Sequence, residues 1–198
     1  MRDFRFSCNV FAIRSGGSFT EYCRTAERYG YDAIFTADHL GSPAPFSPLI
    51  AAAEATQRLR VGTLVLNIGF WNPHLLAREV ATADLLTGGR LELGVGAGHM
   101  KWEFDAAGLP WRPLPERADM LEAALDELER IFASDGYPER NAANELLETP
   151  FALIGTVDEI AGQLRQRREE LGFSFITVHE PYMTTFGPVI ERLRNEPG

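Results

Sequence analysis

The first half of the chain repeatedly exchanges short apolar runs for amphipathic stretches, and this rhythm limits its fold more than any single motif. Residues 4–10 are rich in β-formers, 32–36 make a second short run, 60–66 a nearly continuous apolar third, and 91–95 a fourth. Such runs bounded by Gly, Pro and capping residues read as strands. Between the first two, Ser18-Phe19-Thr20-Glu21 fits a capping box, and Tyr22, Cys23, Ala26 and Tyr29 recur at helical spacing before Gly30. Residues 47–59, mostly Ala and Leu, predict the next helix. Asn72-Pro73 opens a third, with Leu76, Val80, Ala83 and Leu85 or Leu86 as its buried stripe and Gly88-Gly89 as its stop. Strands this apolar, alternating with helices, predict a parallel sheet covered by helices, an α/β protein.

The second half departs from that rhythm. Gly108-Leu109-Pro110-Trp111-Arg112-Pro113 is a loop, and 116–132 predicts an amphipathic helix with Met120, Leu121, Ala124, Leu125, Leu128 and Ile131 on its apolar side. Residues 141–148 read as one or two further helical turns and 151–154 as a short apolar strip. Thr156-Val157-Asp158-Glu159 is a second capping box, opening a helix through residue 171 with Val157, Ile160, Ala161 and Leu164 inward. A strand over 173–178 and a helix over 186–193 complete the chain. Regular winding pairs one helix with each strand, so between the fourth strand and the last, strands are missing.

Composition narrows the function. With 19 basic against 28 acidic side chains and a net charge of −9, the chain lacks the clustered cations of a nucleic-acid face. No apolar run approaches the roughly 20 residues of a membrane helix, and the first residues carry no signal-peptide stretch. Cys8 and Cys23 are too few for a disulfide scaffold and read as small buried hydrophobes in a reducing, cytoplasmic setting. The four histidines, at 39, 74, 99 and 179, lack metal-ligand spacing, so no metal site is expected.

Several stretches together resemble the bacterial luciferase-like monooxygenase superfamily, in particular its deazaflavin (coenzyme F420)-dependent oxidoreductase branch. They are Glu27-Arg28-Tyr29-Gly30-Tyr31-Asp32-Ala33 leading to Ala37-Asp38-His39-Leu40, and Arg58-Leu59-Arg60-Val61-Gly62-Thr63-Leu64-Val65-Leu66. The long block Asp84-Leu85-Leu86-Thr87-Gly88-Gly89-Arg90-Leu91-Glu92-Leu93-Gly94-Val95-Gly96-Ala97-Gly98 is the most specific, and Leu153-Ile154-Gly155-Thr156-Val157-Asp158-Glu159-Ile160 through Val178-His179-Glu180 extends the match. The resemblance implies a TIM-type barrel of parallel strands and outer helices, a fold of about 250 residues. Against that plan this chain is an incomplete, shortened barrel: strands five to seven have no counterpart, and the join falls near Ala133-Ser134-Asp135-Gly136. One domain over 1–198 is expected, with four βα units in 1–134 and a helix-strand-helix within 135–198.

The resemblance implies a flavin- or deazaflavin-linked oxidoreductase or monooxygenase, using coenzyme F420 or FMN on a small hydrophobic molecule. In similar full-length enzymes, backbone of the fifth and sixth strands holds the cofactor phosphate and part of its ring. The rival reading is a derivative that has lost the cofactor, either a non-redox cyclase or isomerase or a noncatalytic binding or structural protein.

Barrels of this type carry their sites at the C-terminal strand ends. Asp38-His39 ends the second strand, where an imidazole can exchange a proton beside a redox ring and a neighbouring carboxylate can set its charge. Asn67 ends the third, where the resemblance implies a bulge with a non-proline cis peptide within Leu66-Asn67-Ile68-Gly69. Gly96-Ala97-Gly98-His99 follows the fourth, with glycines that let backbone approach a ligand. These readings make His39 and Asp38 catalytic candidates, and Asn67, Gly96, Gly98 and His99 cofactor contacts. Phe11, Trp102, Glu103 and His179 are candidate substrate contacts. Each has a plainer alternative: Asp38 caps a loop, the glycines make a tight turn, and Trp71, Trp102 and Trp111 are packing residues. An open sheet would leave an unpaired edge, so a homodimer covering it is expected.

Overall fold

The computed structural model describes residues 4–134, 156–179 and 182–195. The segments 141–148 and 151–154, Asp135 and Gly136 of the expected join, and Glu180 lie outside them. Five strands, β1 (Arg5–Val10), β2 (Ala33–Thr36), β3 (Arg60–Asn67), β4 (Leu91–Gly96) and β5 (Phe175–His179), form one sheet in the order β4-β3-β2-β1-β5. Every pairing is parallel, with Cys8 opposite Ile34 and Val178, Phe35 opposite Gly62, and Thr63 opposite Leu93. The helices are α1 (Gly16–Arg28), α2 (Phe46–Ala55), α3 (Pro73–Leu86), α4 (Lys101–Ala107), α5 (Leu114–Phe132), α6 (Val157–Leu171) and α7 (Met183–Asn195).

Alternate strand residues Phe6, Cys8, Val10, Ile34, Val61 and Leu91 pack with Cys23, Ala26, Leu49, Leu76 and Val80 of the helices in one buried core. The other face is concave. Arg5 of β1 reaches Glu92 of β4 at 2.7 Å, and Arg60 of β3 meets the same carboxylate oxygen. A flat sheet would hold β1 and β4 about 14 Å apart. Phe35 of β2 likewise meets Phe175 of β5 edge to face, with ring centroids 6.0 Å apart across the intervening β1. The sheet therefore has the curl of a barrel, and its order is that of a barrel's first four strands with its closing strand beside the first. This is the shortened α/β barrel expected.

The Gly-Gly-Arg segment before β4 has a structural purpose. Gly88 and Gly89 take positive φ (65° and 76°), reversing the chain after α3. Arg90 then donates to the carbonyls of Ala53, Thr56, Leu59 and Thr87, so one guanidinium ties the end of α2 to the entries of β3 and β4.

Several local expectations are corrected. Helix α1 starts before the expected Ser18 box, because Ser15 accepts from the Ser18 N–H and caps it there. Helix α2 stops at Ala55, where Thr56 turns its hydroxyl back to the Ala52 carbonyl. Leu85 and Leu86 are 72% and 52% exposed; Ala77 and Asp84 are buried on α3 instead. On α5 only Ala124, Leu128 and Ile131 are buried, and Met120 faces solvent. The Asn72 side-chain cap, followed by Pro73, and the Thr156–Glu159 capping box both start their helices where expected.

Candidate active site

The C-terminal strand ends converge on a cavity of about 200 Å³, lined by Asp38, His39, Val65, Asn67, Gly96, Ala97, Gly98, His99 and Glu103. Its wall begins with an interruption of β3. The ladder to β4 shifts register between Thr63 and Leu66, and the Leu64–Val65 peptide is cis. The cis bond implied for residues 66–69 therefore lies earlier, inside the bulge, while Ile68–Phe70 forms a 3-10 turn.

Asn67 organises the floor. Its side-chain oxygen accepts from the Gly69 N–H at 3.2 Å, and its own N–H donates to Asp38 Oδ2 at 3.1 Å. Gly98, at φ +73°, lies so close that a Cβ there would sit 2.5 Å from Asn67 Oδ1. At Gly96 a Cβ would meet Val65 Cγ2 at 2.7 Å. Both positions require glycine, and the backbone of 96–98 forms a smooth wall as a result.

Asp38 Oδ2 also accepts from Trp71 Nε1 at 2.8 Å. Burial pushes the Asp38 carboxyl above its ordinary range, and these two hydrogen bonds oppose the rise. His39 Nδ1 lies 3.0 Å from Glu103 Oε1, which the Leu40 N–H approaches at the same distance. Glu103 is 1% exposed. A carboxylate only accepts, so Nδ1 carries the hydrogen and Nε2 is the nitrogen left for proton exchange. The His99 ring meets His39 edge to face at 5.4 Å.

The structure thus brings together Asp38, His39, Asn67, Gly96, Gly98, His99 and Glu103. It does not bring in the other three candidates. Phe11 and His179 pack on each other at the ends of β1 and β5, 5.7 Å apart, outside this lining. Trp102 is 54% exposed and donates to the Met100 sulfur. Glu103 contacts His39 and the chain after it, a partner that sequence reading placed on the substrate. Trp71, which the sequence offers as packing, holds Asp38, and Val65 joins the lining with no motif to mark it. Among the described residues no group of three or more His, Cys, Asp or Glu could hold a metal ion.

The lining fits a flat heteroaromatic ring, since it combines backbone and small side chains at Val65, Gly96, Ala97 and Gly98 with the hydrogen-bonding side chains of Asn67, His39 and His99. No Lys or Arg lines the cavity, and the adjacent Arg117 is engaged with the Ala97 and Gly98 carbonyls.

Comparison with known proteins agrees with this architecture. The chain is 33% identical over 154 residues to an F420-dependent glucose-6-phosphate dehydrogenase of Amycolatopsis mediterranei, covering 73% of this chain and 45% of that protein. It is 34% identical over 142 residues to the oxygenase component of a flavin-dependent trigonelline monooxygenase of Acinetobacter baylyi, covering 66% and 39% respectively. The chain thus spans less than half the length of these relatives. Among solved structures, a coenzyme F420-dependent tetrahydromethanopterin reductase from Methanopyrus kandleri superposes with a TM-score of 0.58 at 23% identity, over 65% of this chain and 40% of that one. The family model of luciferase-like monooxygenases matches residues 12–141, which include every cavity residue, and the chain belongs to that family.

Proposed function

We propose that the cavity at the strand ends binds the ring of a flavin or deazaflavin, FMN or coenzyme F420, and that the protein is an oxidoreductase or monooxygenase acting on a small hydrophobic molecule. The observation that carries this reading is the convergence of His39, Asn67, Gly96, Gly98, His99 and Glu103 on one cavity. The ring, when bound, supplies the hydride or oxygen chemistry. Asn67, Gly96 and Gly98 would hold it. Glu103 holds His39 in one tautomer, so that Nε2 takes or gives the proton that accompanies reaction of the substrate. Asp38 sets the position of Asn67 through its backbone N–H. The apolar substrate is inferred from the aromatic side chains behind the site: Phe46 packs on Trp71, which holds Asp38, and Phe70 packs on Phe104, next to Glu103.

Titration of the purified protein with FMN and with F420, followed by visible absorbance and fluorescence, tests this reading. Saturable perturbation of either chromophore supports it. Unperturbed spectra of both would defeat it and favour a cofactor-free derivative of the fold.

A further inference from the structure

One charged side chain behind the cavity reaches its wall. Arg117, near the start of α5, lies over the Trp111 ring with its guanidinium carbon 4.0 Å from the centroid. Its Nε donates to the Arg112 carbonyl at 3.0 Å, and its Nη1 donates to the Gly98 carbonyl and, at 3.4 Å, to that of Ala97. The platform beneath it is anchored on both sides of the site. Trp111 packs on Phe104 at 5.2 Å, next to Glu103 on α4, and Phe104 packs on Phe70 at 5.3 Å, in the turn that follows Asn67.

The planar guanidinium is suited to holding carbonyls at a fixed angle, which a flexible ammonium is not. The carbonyl it holds belongs to Gly98, the glycine at which a Cβ would collide with the Asn67 side-chain amide. Fixing that carbonyl fixes how the backbone of 96–99 faces the cavity, and with it the direction of His99. We propose that Arg117 is a positioning residue: acting through the Ala97 and Gly98 carbonyls, it holds the glycine loop in the conformation that receives the ring. This role rests on the ring-binding reading above. Arg117 itself does not line the cavity.

The test compares Arg117→Met, which keeps an apolar stem for Trp111 and no donors, with Arg117→Lys, which keeps one charge and a less directional donor. Three quantities are read: the dissociation constant for FMN and F420, the melting temperature, and the imidazole proton resonances of His99 and His74. The expected result for Arg117→Met is affinity about tenfold weaker, a melting temperature lowered by a few degrees at most, and a shifted His99 resonance beside an unmoved His74. Arg117→Lys falls between it and wild type, and carries the test if the Met variant does not fold. Wild-type affinity with an unmoved His99 in a folded variant overturns the proposal and leaves Arg117 a structural tie. If the wild type binds neither ring, the ring reading fails by itself, and the His99 resonance alone decides whether Arg117 sets the loop.

Discussion

His39 and Glu103, 64 residues apart in sequence, meet at 3.0 Å through Nδ1 and Oε1, with the carboxylate almost wholly buried. That carboxylate serves two donors, because the Leu40 N–H reaches the same oxygen. Removing it takes the shared acceptor from both donors and empties the buried space that the Glu103 side chain fills. Glu103→Ala should cost about 2–4 kcal/mol of stability, whereas Glu103→Gln, which keeps an acceptor, should cost about half as much. Thermal unfolding of the two variants checks the order; equal losses would mean that packing, not the hydrogen bonds, holds Glu103.

Asp38 gives a pH dependence of defined sign. Its folded carboxyl is raised above 3.8 by burial, so the folded state binds its proton more tightly than the unfolded chain. The slope of unfolding free energy with pH is then negative between the two values. Its contribution to stability is fully present below pH 3.8 and is lost as pH rises through the folded value. Asp38→Asn removes this dependence. Melting curves of both proteins from pH 3.5 upward should show wild type losing ground against the variant as pH rises. A gap independent of pH would contradict the assignment.

Two glycines at nearly equal φ separate backbone strain from crowding. Gly172 (+77°) ends α6 with open space where a Cβ would go, while Gly98 (+73°) abuts the Asn67 side chain. Gly172→Ala should cost about 1–2 kcal/mol, the strain alone. Gly98→Ala should cost about 1 kcal/mol or more beyond that and weaken ring binding, since Asn67 must move and is itself held to Gly69. Chemical denaturation and ring titration of both variants measure the difference.

Arg90 makes a purely structural prediction. Its guanidinium serves four carbonyls from two helix ends and a strand entry. Arg90→Ala should cost at least about 2 kcal/mol in urea unfolding. Arg90→Lys should recover little, because a single ammonium cannot span the same acceptors.

Much of this was legible in the sequence because it depends on local pattern. Short, nearly continuous apolar runs alternating with helices of period 3.6 point to a parallel α/β sheet, and the Thr156–Glu159 box marks the start of α6. The strand-end rule named His39, Asn67 and the 96–99 loop without any knowledge of their contacts. What stayed hidden depends on distance in sequence or on short elements. Helix α4, seven residues without a side-chain cap, is too short for periodicity to reveal, yet it carries Glu103 to His39. The hydrogen bond from Trp71 to Asp38 joins the ends of neighbouring strands, and an indole in an aromatic-rich stretch looks like packing until its N–H partner is seen. The same holds for Arg117, whose acceptors are backbone carbonyls that no side-chain pattern discloses.

Titrating FMN and F420 into ¹⁵N-labelled protein and following the backbone amides shows whether the strand-end cavity is a flavin or deazaflavin ring site. A ring bound there gives saturable shifts concentrated on His39, Asn67, Gly96, Gly98 and His99, with helix α6 unchanged. Shifts centred elsewhere, or none at saturating ligand, would contradict that assignment.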